Sequence, residues 1–199
     1  NVSLYNETDS IAIQPCPVVG MVGLIDNWKT AVGIGFTTAG EAIFVIGQSA
    51  DCADGWLGNS VFAKIIVGRE GGAPPPVDLD TEKAHGQFVQ EQIAARQIQA
   101  AHDISDGGLL VALAEMSMGS NIGAKIYKPK KLTNSIKYFF GEDQARYIIE
   151  IDKKNLSNTE KILKENNVFY ENIGLTQSDY FEIEDELKIE TKDLFRINN

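Results

Sequence analysis

An α+β fold, a sheet layered with helices, is predicted for this chain of 199 residues. Three observations predict it. Short apolar runs recur along the chain, as at residues 41–46 and 145–151, with the strand-like patterning of half-buried or buried β-structure. Segments with apolar residues near helical spacing fall between them, as at 79–100 and 109–118. The two kinds of segment mix throughout, which suits a layered α/β sandwich, and no short-period repeat interrupts them.

Residues 1–7 alternate, with Val2 and Leu4 set against Ser3 and Tyr5, which predicts a strand with one polar face. Thr8-Asp9-Ser10 is a turn signal, and Ile11-Ala12-Ile13 resumes an extended run. After Pro15 and Pro17, residues 18–25 form a strongly apolar stretch, predicted to be a strand, with Gly20 and Gly23 marking close backbone approach. Residues 26–30 read as a linker and a domain boundary. A short helix is expected over 58–67. Three prolines and two glycines exclude regular structure from 68–76. Asp78 and Asp80 then offer N-caps to the clearest helix, expected to run to about residue 100. A short extended piece, 101–105, leads through Asp106-Gly107-Gly108 into a helix with Leu109, Leu110, Leu113 and Met116 on one face and Gly119 as its stop. Strands are expected at 122–127, 145–151, 168–175 and 180–183, and a helix at 156–165. The acidic residues of 182–193 are expected to be a solvated tail.

The formal net charge is −10, with 43% hydrophobic and 23% charged residues. So acidic a chain is a poor general nucleic-acid binder, because counterion release needs many Lys and Arg. It does not exclude a small phosphorylated ligand, where a divalent cation and a few backbone N–H groups supply the positive potential. No apolar run reaches the roughly 20 residues of a membrane span. Cys16 and Cys52 have no CxxC spacing, and two isolated thiols fit a reducing, cytoplasmic setting.

Three clusters could carry chemistry. In Asn1-Val2-Ser3-Leu4-Tyr5-Asn6-Glu7 a strand puts Asn1 and Ser3 on one face, where the amide oxygen suits a hard cation and the hydroxyl a phosphate. The plainer reading is an edge strand with a solvated face. In His102-Asp103-Ile104-Ser105-Asp106-Gly107-Gly108, two carboxylates three apart could hold Mg²⁺ ahead of a helix N-terminus. Equally, Asp106 could be an N-cap, Asp103 a strand end, and the glycines sites of tight packing. Gly141-Glu142-Asp143-Gln144 could present polar groups to a ligand or be an acidic turn. His85 and His102 are too far apart in sequence to suggest a local metal pair, and Gly33-Ile34-Gly35-Phe36 lacks the third glycine of a dinucleotide loop.

In order along the chain, Asn-Val-Ser-Leu-Tyr-Asn-Glu at 1–7, Pro-Val-Val-Gly-Met-Val-Gly-Leu-Ile at 17–25, His-Asp-Ile-Ser-Asp-Gly-Gly-Leu at 102–109 and Gly-Glu-Asp-Gln at 141–144 carry a resemblance. Together they resemble the C-terminal part of phosphoribosylformylglycinamidine synthases, the synthetase subunit of the multi-subunit form. The match runs to about Ile151, and the last fifty residues add little. The resemblance implies an ATP-dependent ligase of purine biosynthesis that makes formylglycinamidine ribonucleotide from formylglycinamide ribonucleotide and ammonia. It implies Mg²⁺ and ATP, a glutaminase subunit, a small bridging subunit and the remainder of the synthetase chain as partners. It implies that Asn1 is a Mg²⁺ ligand and that Ser3 contacts the substrate, with the ATP-contacting glycine one position before Asn1. It further implies that residues 1–25 end a domain like the N-terminal domain of aminoimidazole ribonucleotide synthetase. Residues 26–199 then form a domain like that enzyme's C-terminal one. Asp103 and Glu142–Gln144 resemble ligand-binding residues of the related first half, but the copies have diverged and no role is carried over to Asp103, Asp106 or Glu142. The expectation is a fragment inactive alone. Two other readings stand beside it: another ATP-dependent enzyme of the same superfamily, which would usually show Thr-Gly-Gly-Gly where this chain has Ser-Asp-Gly-Gly, and a non-catalytic assembly module.

Overall fold

The computed structural model describes residues 5–13, 19–47, 56–69, 71–130 and 132–198, the side chains of 197 and 198 excepted. Asn1, Ser3, Cys16 and Cys52 lie outside the described residues.

The chain starts with a hairpin of β1 (Asn6–Thr8) and β2 (Ile11–Ile13), antiparallel with Thr8 opposite Ile11. Asp9 and Ser10 make its two-residue turn at φ 51° and 63°, the left-handed geometry that matches strand twist. Residues 19–25 form no strand and are exposed, against the expectation for 18–25. Apolar character alone does not make a strand, and no described neighbour supplies the ladder this stretch needs. The expected linker contains a short 3₁₀ turn, Trp28–Thr30, capped by Asn27.

The body is a seven-stranded sheet ordered β4-β6-β3-β7-β5-β8-β9. Its strands are β3 (Ala42–Ile46), β4 (Ile98–Asp103), β5 (Gly123–Ile126), β6 (Tyr147–Ile151), β7 (Tyr170–Gln177), β8 (Tyr180–Ile183) and β9 (Leu187–Glu190). All neighbours are antiparallel except β5 and β8. All five residues of β3 are buried, and their side chains alternate between two cores. Ile43 and Val45 face α3 (Gly108–Ser120) and α4 (Ser135–Phe140), through Leu109, Leu113, Met116 and Phe139. Ala42, Phe44 and Ile46 face α2 (Leu79–Ala94) and α5 (Leu156–Glu165), through Phe88, Val89 and Leu163. α1 (Val61–Ile65) and α6 (Thr191–Asn198) complete the helices. The fold is therefore α+β, a mostly antiparallel sheet between helical layers.

Three further stretches differ from the sequence reading. α2 stops at Ala94, because Arg96 turns left-handed at φ 56° and Ile98 enters β4, where it is buried. Residues 182–193 are not a solvated tail: β8, β9 and the start of α6 lie there, Thr191 is buried, and Leu194 packs on the core. Their acidic side chains sit on outer positions, where Glu182 pairs with Lys125 and Lys188. Gly119 does not stop α3, which runs on to Ser120 before a left-handed Asn121 at φ 58°. A Cβ on Gly35 would come within 2.9 Å of the Gly119 carbonyl carbon, so these glycines let segment 33–36 cross the helix. There the Phe36 N–H donates to the Met116 carbonyl at 3.2 Å.

Glu150, fully buried on β6, anchors the loop before β3. Its carboxylate accepts from the Thr37 N–H at 2.8 Å, the Thr37 hydroxyl at 3.0 Å and the Thr38 N–H at 3.3 Å. Burial raises its pKa above the ordinary carboxylate value, although those three donors pull the other way. A carboxyl whose folded pKa is raised binds its proton more readily in the folded state. Its contribution is therefore full below the unfolded pKa and is lost as pH rises through the folded one. Glu150→Gln abolishes this titration. The stability of the parent relative to Glu150→Gln should thus fall as pH rises from about 4 upward, measured by urea unfolding at stepped pH.

Candidate functional site

The two internal motifs meet around one short turn. The first, at 102–108, joins β4 to α3; the second, at 141–144, joins α4 to β6. Glu142 ties them together. Its Oε1 accepts from the Gly107 N–H at 2.9 Å and from the Val61 N–H at 2.8 Å, so one carboxylate oxygen serves the starts of both α3 and α1. The same turn is bonded to residue 56 in both directions: the Glu142 N–H donates to the Trp56 carbonyl at 3.1 Å, and Asp143 Oδ2 accepts from the Trp56 N–H at 3.3 Å.

This arrangement sorts the structural roles considered for the 102–108 motif. Asp106 does not cap α3; the N-cap is Gly107, left-handed at φ 81° and without a side-chain bond. Glu142 instead accepts from the N–H of the cap residue Gly107 itself. The tight-packing reading of the glycines holds: a Cβ on Gly107 would sit 2.5 Å from a Val111 methyl, and one on Gly108 2.7 Å from the Phe140 carbonyl carbon. Asp103 does end β4, exposed, beside a His102 whose Nε2 lies 3.3 Å from Glu115. Asp106 and Glu142 line a cavity of about 440 Å³ together with Lys64, Arg69, Gly71 and Gly72. Asp143 and Gln144, the next two residues, line a separate cavity of about 410 Å³ with His85.

Arg146 is the residue that the sequence did not single out. It is buried on β6's leading edge, 3.9 Å from Asp143, and its Nε and one terminal nitrogen have no hydrogen-bond partner among the described residues. Burial lowers its pKa, while Asp143, Tyr138 and Glu171 draw it back up. Burial, joined by the nearby Glu171, holds the Tyr138 phenol well above its ordinary value. An Arg between Ala145 and Tyr147 has no sequence pattern that would announce burial. Among the described residues no three His, Cys, Asp or Glu side chains are grouped to hold a metal ion. No helix among them is long and apolar enough to cross a membrane.

Residues 38–184 match the family described as "AIR synthase related protein, C-terminal domain". Among curated proteins, the chain is similar to phosphoribosylformylglycinamidine synthase subunit PurL of Rhodopseudomonas palustris (strain TIE-1). The two are 45% identical over 194 residues, which cover 98% of this chain and 26% of that protein. The chain thus spans about a quarter of that relative's length. Among solved structures, T. maritima PurL complexed with FGAR superposes with a TM-score of 0.66 at 16% identity, covering 84% of this chain and 30% of that one. The structure of PurLQS from Thermotoga maritima gives 0.62 at 16%, covering 84% and 28%. At such identity these two establish the fold.

The Glu142 carboxylate should be a structural tie. Glu142→Ala leaves two helix-start N–H groups without their acceptor, and a stranded buried donor costs about 1–3 kcal/mol. Unfolding in urea should show a loss of that size, and amide exchange should speed up at Gly107 and Val61 before it does in β3.

Proposed function

The chain belongs to the AIR synthase related proteins through their C-terminal domain, and from that premise we propose that it is the C-terminal portion of a phosphoribosylformylglycinamidine synthase, its synthetase subunit. One observation carries the proposal: the 45% identity to a subunit of that name runs over 194 residues, nearly the whole chain. In the complete enzyme, ATP phosphorylates the amide oxygen of formylglycinamide ribonucleotide, ammonia adds at that carbon, and phosphate leaves to give formylglycinamidine ribonucleotide. Bound Mg²⁺ would shield the polyphosphate and stabilise the charge on the transferring phosphoryl group.

In this proposal Asn1 offers its amide oxygen to that Mg²⁺, and Ser3 donates its hydroxyl to the ribonucleotide. An uncharged oxygen donor suits a hard cation that keeps other oxygen ligands, and the remaining ligands come from elsewhere in the longer protein. Residues 1–25 then close the preceding domain and 26–199 form the scaffold domain. Two features support that division. Val22 and Leu24 are 100% and 99% exposed, as expected of a segment that another domain covers, and the family match begins at residue 38. The scaffold reading of the body is supported by its motif carboxylates, since Glu142 and Asp143 are engaged by backbone N–H groups of this chain. The partners are the remainder of the synthetase chain, a glutaminase subunit that supplies ammonia and a small bridging subunit, in keeping with the PurLQS assembly of the T. maritima protein. The setting is cytoplasmic.

In the complete enzyme, Asn1→Ala should raise the Mg·ATP requirement, while Ser3→Ala should raise mainly the KM for the ribonucleotide. The Ser3→Ala loss should correspond to about 1.5–3 kcal/mol, the worth of one hydrogen bond to a charged group. Steady-state kinetics varied in each substrate separate the two effects; unchanged kinetics in both variants would remove the site assignment. The isolated 199 residues should form no product from ATP, ammonia and the ribonucleotide.

A further inference from the structure

The far end of α1 leaves large apolar side chains bare. Ile65, Ile66 and Val67, one after another, are 70%, 68% and 62% exposed. Beside them opens a cavity of about 480 Å³ with Trp56, Leu57, Phe62 and Val67 in its walls. Its two aromatic residues are held in place: the Phe62 ring lies 4.8 Å from that of Phe140, and the Trp56 indole N–H donates to the Ala73 carbonyl at 2.7 Å. The charged side chains of the lining, Arg69 and Lys137, are both cations. No carboxylate is among the described residues that line it, in a chain of net charge −10. With five residues α1 is too short to stand by itself, and its start is already tied down by Glu142. A run of bare aliphatic residues at its other end marks a contact surface.

We infer that this face docks the part of the synthetase chain that precedes Asn1, through an apolar segment with acidic residues beside it. The inference rests on the reading of the chain as one portion of a longer synthetase. Three observations choose the occupant. The match to the R. palustris protein covers 98% of this chain but 26% of that one, so about three quarters of such a protein lies beyond the residues seen here. The patch is three aliphatic residues wide, and permanent interfaces are more apolar than transient ones, which favours a domain of the same chain over a separate subunit. The cations at the rim select acidic flanks on the docked segment. A second copy using the same face would set Arg69 and Lys137 against themselves.

The test is thiol alkylation of the Ile66→Cys variant of the complete synthetase chain. Peptide mass mapping separates position 66 from Cys16 and Cys52. The rate in the native chain is compared with that of the same thiol in urea. With no other subunit present, the native rate should be slower by roughly tenfold or more, because modification then waits on local opening. Adding Arg69→Glu and Lys137→Glu to that variant should speed the native rate severalfold, by setting like charges against the docked segment. If the cysteine variant does not fold, Ile65→Cys or Val67→Cys takes its place. Equal native and unfolded rates would overturn the inference. So would protection that appears only when the glutaminase and bridging subunits are added, or a rate unmoved by the charge reversals. Alkylation needs no turnover, so a failure of the ligase reading shows in the kinetics and leaves this measurement standing.

Discussion

A strand buried along its whole length sets the terms for everything around it. All five residues of β3 are buried, and both of its edges are occupied, by β6 and by β7. With its backbone groups satisfied laterally, its stability rests on what covers each face. Burying a side chain such as Phe44 or Ile46 contributes roughly 1.5–3 kcal/mol relative to exposure, so both faces demand helices. α3 and α4 meet one demand, α2 and α5 the other. The positions of the 102–108 and 141–144 motifs follow from this coverage. The first is the entry into the helix that covers one face of β3, and the second is the entry into the strand hydrogen-bonded to its edge.

A sheet covered on both faces must also satisfy the polar groups it encloses. Three of them join distant parts of the chain. Glu150 gathers Thr37 and Thr38, while the Thr176 hydroxyl donates to the Thr38 carbonyl at 2.6 Å and accepts from the Glu41 N–H at 2.8 Å. Together they fix the loop that delivers the chain into β3. Glu142 does the same for the entries to α1 and α3. Arg146 is different in kind. A buried guanidinium costs several kcal/mol to desolvate, and Asp143 at 3.9 Å is a loose partner for it. Its charge is balanced by two carboxylates at once, Asp143 and Glu171, rather than by one bidentate pair.

The legible parts of the sequence were those where local pattern and tertiary burial agree. β3 is a continuous apolar run, β6 is one broken only by Glu150, and α3 places Leu109, Leu113 and Met116 at helical spacing, so their pattern survives into the core. Legibility failed where the deciding partner is remote. The acidic side chains of 182–193 lie on outer positions, while β8 is held in the sheet by β5 on one edge and by β9 on the other. Residues 19–25 are apolar, yet apolarity cannot say which neighbour covers them. The Glu142 tie spans 35 residues to Gly107 and 81 to Val61, and a carboxylate bound to distant backbone N–H groups leaves no spacing to read. Asp106 looked like the cap because it precedes the helix, but a left-handed Gly107 turns the chain between them. The motif at Asn1 and Ser3 was legible as chemistry by its resemblance alone, and it lies outside the described residues.

The turn at 141–145 ties distant elements together and borders two cavities. Its residues divide between two cavities: Glu142 looks toward the helix starts and the cavity with Lys64 and Arg69, Asp143 and Gln144 toward the cavity with His85. The two linings differ in sign. The first combines two cations with two carboxylates, and the second has carboxylates without cations. Arg146, buried 3.9 Å behind Asp143, offsets part of that carboxylate's charge, since burial leaves its field poorly screened. The left-handed Ala145 is the pivot of this arrangement. Its carbonyl engages His85, and a Cβ on Gly47 would meet the same oxygen at 2.9 Å. The end of β3, the start of β6 and the middle of α2 therefore converge on a single peptide group. A change of conformation there would be felt by the buried strand and by the second cavity at once.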